Sequence, residues 1–215
     1  MPLRDLVIIK EEYKKVADQL SEIILEDFPR EEKLIIAVGG ESGSGKSGIV
    51  HVISDNLFKS TYELKSFILP VDDFFILPRK ERNELRVKTN LASVGISEIN
   101  QNELVYIIKR FKEDAGLTRV PIYDILTSTQ YELVANFQNI PVLIVDGLYA
   151  NIIDADYNIF IDLTYHDTKE FQAERGKEVM DDFRFAVLER EHQAVSQLKK
   201  KANFIINKDY ALTKR

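Results

Sequence analysis

Eight consecutive residues, Gly40-Glu41-Ser42-Gly43-Ser44-Gly45-Lys46-Ser47, fit the phosphate-binding pattern G-x-x-x-x-G-K-[ST] at every fixed position. The glycines let successive backbone N–H groups turn toward an anion, and a helix starting there adds its positive dipole end. Lys46 is placed to reach the β- and γ-phosphates of ATP, and Ser47 to offer a hydroxyl to Mg²⁺. Asp146 ends the apolar run Val142 to Val145, where a second Mg²⁺-organising carboxylate belongs. A strand-end aspartate can also simply cap the next turn. Asp72 and Asp73 close another apolar run, and a carboxylate there can receive or orient the proton of an attacking hydroxyl. Phe74 and Phe75 follow, either as walls of a small-molecule pocket or as plain core. Arg175, Arg184 and Arg190 lie in a helical stretch. They would neutralise charge on a transferred phosphoryl group from a lid, or face water from a solvated helix. Arg175 is set apart by Gly176, a candidate pivot.

These groups need elements to hold them. Leu34-Ile35-Ile36-Ala37-Val38 reads as a buried parallel strand entering the loop. Ser47 to Lys59 reads as the helix leaving it, with Ile49, Val50, Ile53, Leu57 and Phe58 on one face. Glu11 to Phe28 has the spacing of an amphipathic helix ending near Pro29. Further strands are predicted at Ser66 to Pro70, Val142 to Val145, Tyr157 to Leu163 and Ala202 to Ile206, the last before a polar tail. Asn100 to Lys112 is predicted helical, and Thr129 to Phe137 is either helical or extended. Lys169 to Lys200 is helical in pattern, with a break at Gly176 and the acid cluster Glu178 to Asp182. Alternating strands and helices predict a three-layer α/β fold around a mostly parallel sheet of about five strands. Ligands of such sheets bind beyond the C-terminal strand ends, where the loop, Asp72-Asp73 and Asp146 all fall.

A length of 215 residues suits one α/β domain spanning 1–215, with a small lid at about residues 168–190. Apolar residues at 45% and charged residues at 30% supply both a core and a wet surface. The absence of cysteine excludes disulfides and thiolate chemistry. His51, His166 and His192 have no metal-ligand spacing, although His166, past a strand end, could border the site. A net charge of −6 and a pI near 5.3 argue against a nucleic-acid polymer as partner. A small anion needs only a local basic pocket, for which Arg79 to Lys88 and the arginines after Arg175 are candidates. No stretch approaches the roughly 18 apolar residues of a membrane span. Met1 to Lys10 has no signal-peptide core, so a cytoplasmic location with no membrane partner is expected. No sustained heptad marks an interface, which leaves homo-oligomerisation open.

In this order the motifs resemble the uridine kinase and phosphoribulokinase family of phosphate-loop kinases, whose relatives include pantothenate kinase. The resemblance covers Leu34 to Tyr210. It rests on Gly40 to Ser47, Leu69 to Phe75, Val120-Pro121-Ile122-Tyr123-Asp124, Val142 to Gly147, Glu174-Arg175-Gly176 and Ala202 to Ile206. It implies that Asp72 takes the place of the catalytic base, with Asp73 and Phe75 beside the acceptor and Phe75 replacing the usual tyrosine. Tyr123 and Asp124 match the acceptor-site element, and Asp146 stands where the family commonly has glutamate. The family's Asn-Phe-Asp-His-Pro element is absent, the nearest region being Thr89 to Gly95. The lid's repeated arginines are replaced by Thr168-Lys169-Glu170, which leaves Lys169 as the basic substitute.

The implied activity is ATP- and Mg²⁺-dependent phosphorylation of a hydroxyl on a small molecule. A nucleoside such as uridine or cytidine is the first acceptor, with a sugar, sugar acid or pantothenate-like alcohol as alternatives. A nucleotide hydrolase using Asp72 or Asp73 to orient water, and a regulatory ATP-binding protein, are the rival readings.

Overall fold

Every residue of the first strand is buried, because helices or loops cover both faces of the sheet it centres. In the computed structural model, residues 7–28, 32–175 and 179–215 are described, with Phe171 and residues 173–175 described by backbone alone. The strands are β1 (Leu34–Gly40), β2 (Ser66–Pro70), β3 (Leu117–Asp124), β4 (Thr129–Asn136), β5 (Val142–Asp146), β6 (Tyr157–Ile161), β7 (Phe204–Ile206) and β8 (Leu212–Lys214). Six of them form one sheet in the order β2-β5-β1-β6-β7-β8, parallel except for β8. The five parallel strands are those read from the sequence, and β8 is the addition. It is a three-residue edge strand with no buried residue, so it carries no hydrophobic pattern.

Alternation along the strands sorts the core into two layers. Ile35, Ala37, Leu143 and Val145 point to one side, and Leu34, Ile36, Val142 and Ile144 to the other. Helices α1 (Glu11–Glu26) and α2 (Lys46–Lys59) cover the second side through Val16, Leu20, Ile24, Ile49, Ile53 and Leu57. α3 (Arg79–Lys88) follows β2. α4 (Gln101–Lys112) packs Leu104, Ile107 and Phe111 on the first side, and Asn100 caps it by accepting from the Glu103 N–H at 3.3 Å. The stretch read as one interrupted helix is two, α5 (Tyr165–Arg175) and α6 (Asp182–Ser196). Asp181 caps α6 through the Arg184 N–H at 2.8 Å, while the proposed pivot Gly176 lies outside the described residues. No described helix is long and apolar enough to cross a membrane.

β3 and β4 form a separate antiparallel hairpin in which Tyr123 faces Gln130 and Asp124 faces Thr129. Thr129 to Phe137 is therefore extended. Only Ala135 of β4 is buried, which is why its periodicity left the choice open.

β1 passes into the phosphate loop at Gly40, whose φ of +141° disfavours a side chain. An added Cβ would lie 2.7 Å from the Ile161 carbonyl oxygen of β6, which is backbone and cannot swing aside. Gly40→Ala is therefore expected to lower unfolding free energy by about 2–4 kcal/mol. Denaturant melts of the two proteins check this, and an unchanged midpoint would refute it.

Candidate active site

The parallel register aligns Asp146 with Val38 of β1 on one side and Pro70 of β2 on the other. The C-terminal end of β5 therefore lies between the phosphate loop and the acid pair Asp72-Asp73. Ser47, in the first turn of α2, donates its Oγ hydrogen to Asp146 Oδ2 at 2.8 Å. Lys46 Nζ donates to the Glu41 carbonyl at 2.7 Å, which holds its stem over the loop. A serine hydroxyl beside a carboxylate is the hard-oxygen donor pair that suits Mg²⁺ bound together with phosphate oxygens. The residues present fit such an ion.

The loop is braced from above by α5 and α6. Thr168 Oγ1 and Gln172 Nε2 each donate to the Ser42 carbonyl at 3.0 Å. The Glu41 side chain turns away from the loop. Its carboxylate accepts from the Tyr165 N–H at 2.7 Å and meets His192 Nδ1 at 2.6 Å. Glu41 thus ties the loop to the start of α5 and to the C-terminal part of α6, a contribution distinct from that of its backbone. At the rear, the Tyr13 ring packs where side chains on Gly45 and Gly48 would otherwise stand.

Asp72 and Asp73 lie on a single 3₁₀ turn, Val71–Phe74, which sends their side chains in different directions. Asp73 is 3% exposed and accepts from the Tyr123 N–H at 2.9 Å, pinning the hairpin to the sheet. Burial, with the Asp72 charge adding to it, pushes its pKa up to about 6. Asp72 is half-buried and lines the same cleft as Lys46, Ser47 and Asp146. Phe74 is core, whereas Phe75 walls the cleft.

The opposite wall is α3, whose Arg79, Arg82, Asn83 and Arg86 share one helical face and line the cleft. Arg86 is buried and bonds Glu98 through two nitrogens at 2.7 and 2.8 Å, with Glu191 of α6 at 3.3 Å. Arg184 reaches Glu191 at 3.4 Å, so α3 and α6 meet through charge. The Arg82 guanidinium lies 3.6 Å from the centre of the Phe75 ring. Met180, Phe183 and Val187 complete a cleft of about 610 Å³.

The structure gathers Ser42, Gly43, Lys46 and Ser47 of the loop with Asp72, Asp73, Phe75, Tyr123 and Asp146 around this cleft, while Gly40, Glu41, Ser44 and Gly45 lie outside its lining. It does not bring Asp124 or Lys169 there. The Asp124 carboxylate accepts the Leu126 and Thr127 N–H groups at 2.9 and 3.4 Å, closing the hairpin turn. Lys169 is exposed, because the helical turn that aims Thr168 and Gln172 at the loop aims Lys169 outward. The Arg175 side chain lies outside the described residues. His166 is exposed and stacks on Tyr165 at 4.0 Å instead of lining the cleft. The residues that sequence reading passed over individually are Arg82, Asn83, Gln130, Gln172 and Phe183. The basic tract 79–88 was visible, but its i, i+3, i+4, i+7 face was not, because a helix polar on nearly all sides carries no apolar stripe.

A phosphate loop between a central parallel strand and a helix, with carboxylates at the end of β5 and just beyond β2 on the same sheet edge, defines the phosphate-loop kinase fold. The chain superimposes with a TM-score of 0.63 on phosphoribulokinase from Rhodobacter spheroides, at 15% identity, covering 82% of this chain and 70% of that one. The model of the phosphoribulokinase / uridine kinase family matches residues 35–169, more than half of the chain, and the chain belongs to that family. It is 28% identical over 191 residues to a uridine kinase of Staphylococcus aureus, covering 80% of this chain and 86% of the relative. It is 29% identical over 138 residues to one of Ureaplasma parvum, where the match spans 60% of this chain and only 62% of the relative's length.

The raised Asp73 pKa has a stability consequence. The folded state holds the proton up to about pH 6, whereas the unfolded chain releases it near 3.8. The contribution is thus fully present below the lower value and lost as pH rises through the upper one. Asp73→Asn keeps an acceptor for Tyr123 and removes the buried charge. Its stability relative to the parent should rise between pH 4 and 7 by on the order of 1–3 kcal/mol. Parallel melts across that range check this, and a pH-independent difference would refute it.

Proposed function

We propose that the chain is an ATP- and Mg²⁺-dependent kinase acting on a hydroxyl group of a small molecule. The observation that carries this reading is that Asp72 opens into the same cleft as Lys46, Ser47 and Asp146. A carboxylate suited to a hydroxyl proton therefore shares a space with the groups suited to a triphosphate.

In this reading the loop amides and Lys46 hold the β- and γ-phosphates, and Ser47 and Asp146 would hold Mg²⁺, which supplies charge neutralisation when bound. The acceptor oxygen attacks the γ-phosphorus, the bond to the β,γ-bridging oxygen breaks, and ADP departs. Asp72 takes the hydroxyl proton. Asp73 acts as a positioning group by anchoring Tyr123, which presents its ring to the acceptor. Residues 168–190 act as the lid in this reading, and Arg175 of that segment provides cationic cover for the transferred group. Chain 1–215 works as one catalytic unit, in the cytoplasm where ATP is available, and its acidic balance favours no nucleic-acid polymer.

Kinship with uridine kinases supports a nucleoside as acceptor. The Thr89 to Gly95 segment, where the family's acceptor element is missing, contributes nothing to the cleft lining. The arginine-bearing α3 face therefore does much of the selecting, which favours a sugar acid or related acceptor as the second reading.

ADP release measured against nucleosides, sugars, sugar acids and pantothenate tests the activity. Release is expected to depend on an acceptor. Full-rate release without one would instead indicate a hydrolase, and ATP binding without turnover across the panel a regulatory protein. Asp72→Asn should lower turnover by about 10²–10⁴-fold while ATP affinity stays within about threefold. Undiminished turnover in that variant would remove Asp72 from the base role.

A further inference from the structure

The buried acids Glu98, Glu191 and Asp73 have partners, and one arginine of the cleft is left without a matching carboxylate among the described residues. Glu98 is bonded by Arg86, Glu191 by Arg86 and Arg184, and Asp73 by the Tyr123 N–H. One turn along α3 from Arg86, Arg82 also faces the cleft. Among the described residues, no carboxylate lies within ion-pairing distance of it. Its protein hydrogen bond goes to the Leu77 carbonyl at 3.3 Å, and its Nε is buried with no hydrogen-bond partner. The guanidinium face lies on the Phe75 ring, which leaves its in-plane N–H edge as the direction for further bonding. Burial and the adjacent Arg86 charge press its pKa downward, only partly offset by the carboxylates of Glu98, Asp72 and Glu191 nearby.

We propose that the acceptor carries an anionic group, a carboxylate or a phosphate, which Arg82 binds from α3 while the acceptor hydroxyl faces Asp72. The proposal rests on the kinase reading and narrows its acceptor to a small anionic alcohol. Three features agree with it. Guanidinium groups match carboxylate and phosphate oxygens with paired N–H donors. Arg79 and Asn83 lie on the same helical face and add polar wall on either side of Arg82. Phe75 fixes the guanidinium plane before any ligand arrives, so little side-chain entropy remains to be lost on binding. Asp72 is close enough to contribute to the electrostatics of Arg82, which puts the reacting carboxylate and the anchoring cation in one neighbourhood. A ligand gripped at one end by Arg82 would then have its alcohol end held near the proton acceptor.

The test uses the full chain with Mg²⁺ and a non-hydrolysable ATP analogue, and measures binding calorimetrically for matched pairs. These are glycerate against glycerol and ribose 5-phosphate against ribose, with uridine as the neutral nucleoside. At least one anionic probe should bind about tenfold or more tightly than its neutral counterpart and than uridine. The pair that shows the difference identifies carboxylate or phosphate as the group. Arg82→Gln should weaken that probe by about tenfold or more, Arg82→Lys should restore part of the loss, and affinity for the ATP analogue should stay within about threefold. Where turnover is seen, Arg82→Gln should act mainly on acceptor KM. Equal binding of neutral and anionic probes, binding of neither anion, or an Arg82→Gln variant that keeps its anion affinity would each overturn the proposal. Acceptor-dependent turnover of a neutral alcohol alone would overturn it while leaving the kinase reading intact. Anion binding without phosphoryl transfer would uphold the anion site and sink the kinase reading.

Discussion

The hydrogen bond from Ser47 to Asp146 can form because β1 and β5 are parallel neighbours in one register, with Val38 opposite Asp146. The two residues are 99 positions apart in the chain. That register also sets β2 beside β5, so Asp72, one turn beyond Pro70, arrives on the other flank of Asp146. Parallel pairing gives all three strands their C-terminal ends on the same edge, and it is stable only because apolar layers cover both faces. Val, Ile and Leu on alternate sides of β1 and β5 are therefore the physical cause of the site's geometry as well as of the fold.

Buried charge forms the second level of organisation. The cluster of Arg86, Glu98, Glu191 and Arg184 joins α3 to α6 across one wall of the cleft. Such a cluster adds little net stability compared with apolar packing, but removing one member strands the others, so it enforces one arrangement of the two walls. Asp73 is a similar compromise. Its carboxylate secures the hairpin through Tyr123 and bears a desolvation cost visible in its raised pKa. On another wall, Glu41 and the Ser42 carbonyl link the loop directly to α5 and α6. A triphosphate bound in the loop would thus touch residues in contact with both helices.

Signals carried by local sequence are the legible ones, and those that depend on what a side chain meets are legible only in part. The phosphate loop, its flanking strand and helix, and the strands ending at Pro70 and Asp146 are all legible, because backbone conformation and two-sided burial leave marks on neighbouring residues. β4 and β8 left no such mark, since they are exposed and consist of ordinary polar and apolar mixtures. Asp124 and Lys169 share residue type and motif position with acceptor-binding groups. One closes its own hairpin, and the other sits on the outer side of α5.

The sequence by itself determined the donor half of this protein: a glycine loop whose residue types dictate phosphate binding, entered by an apolar strand and left by an amphipathic helix. Those features are local, so a run of eight residues and its neighbours is enough to specify them. Only the tertiary structure decided the surroundings of the acid pair and of the α3 arginines. Which of Asp72 and Asp73 is buried and held is set by the pitch of one 3₁₀ turn and by a backbone N–H 50 residues away. Which arginine lacks a matching carboxylate is set by where Glu98 and Glu191 arrive from two other elements. Side-chain partnership is a property of three-dimensional packing, and charges far apart in the chain reveal it only once the fold has brought them together.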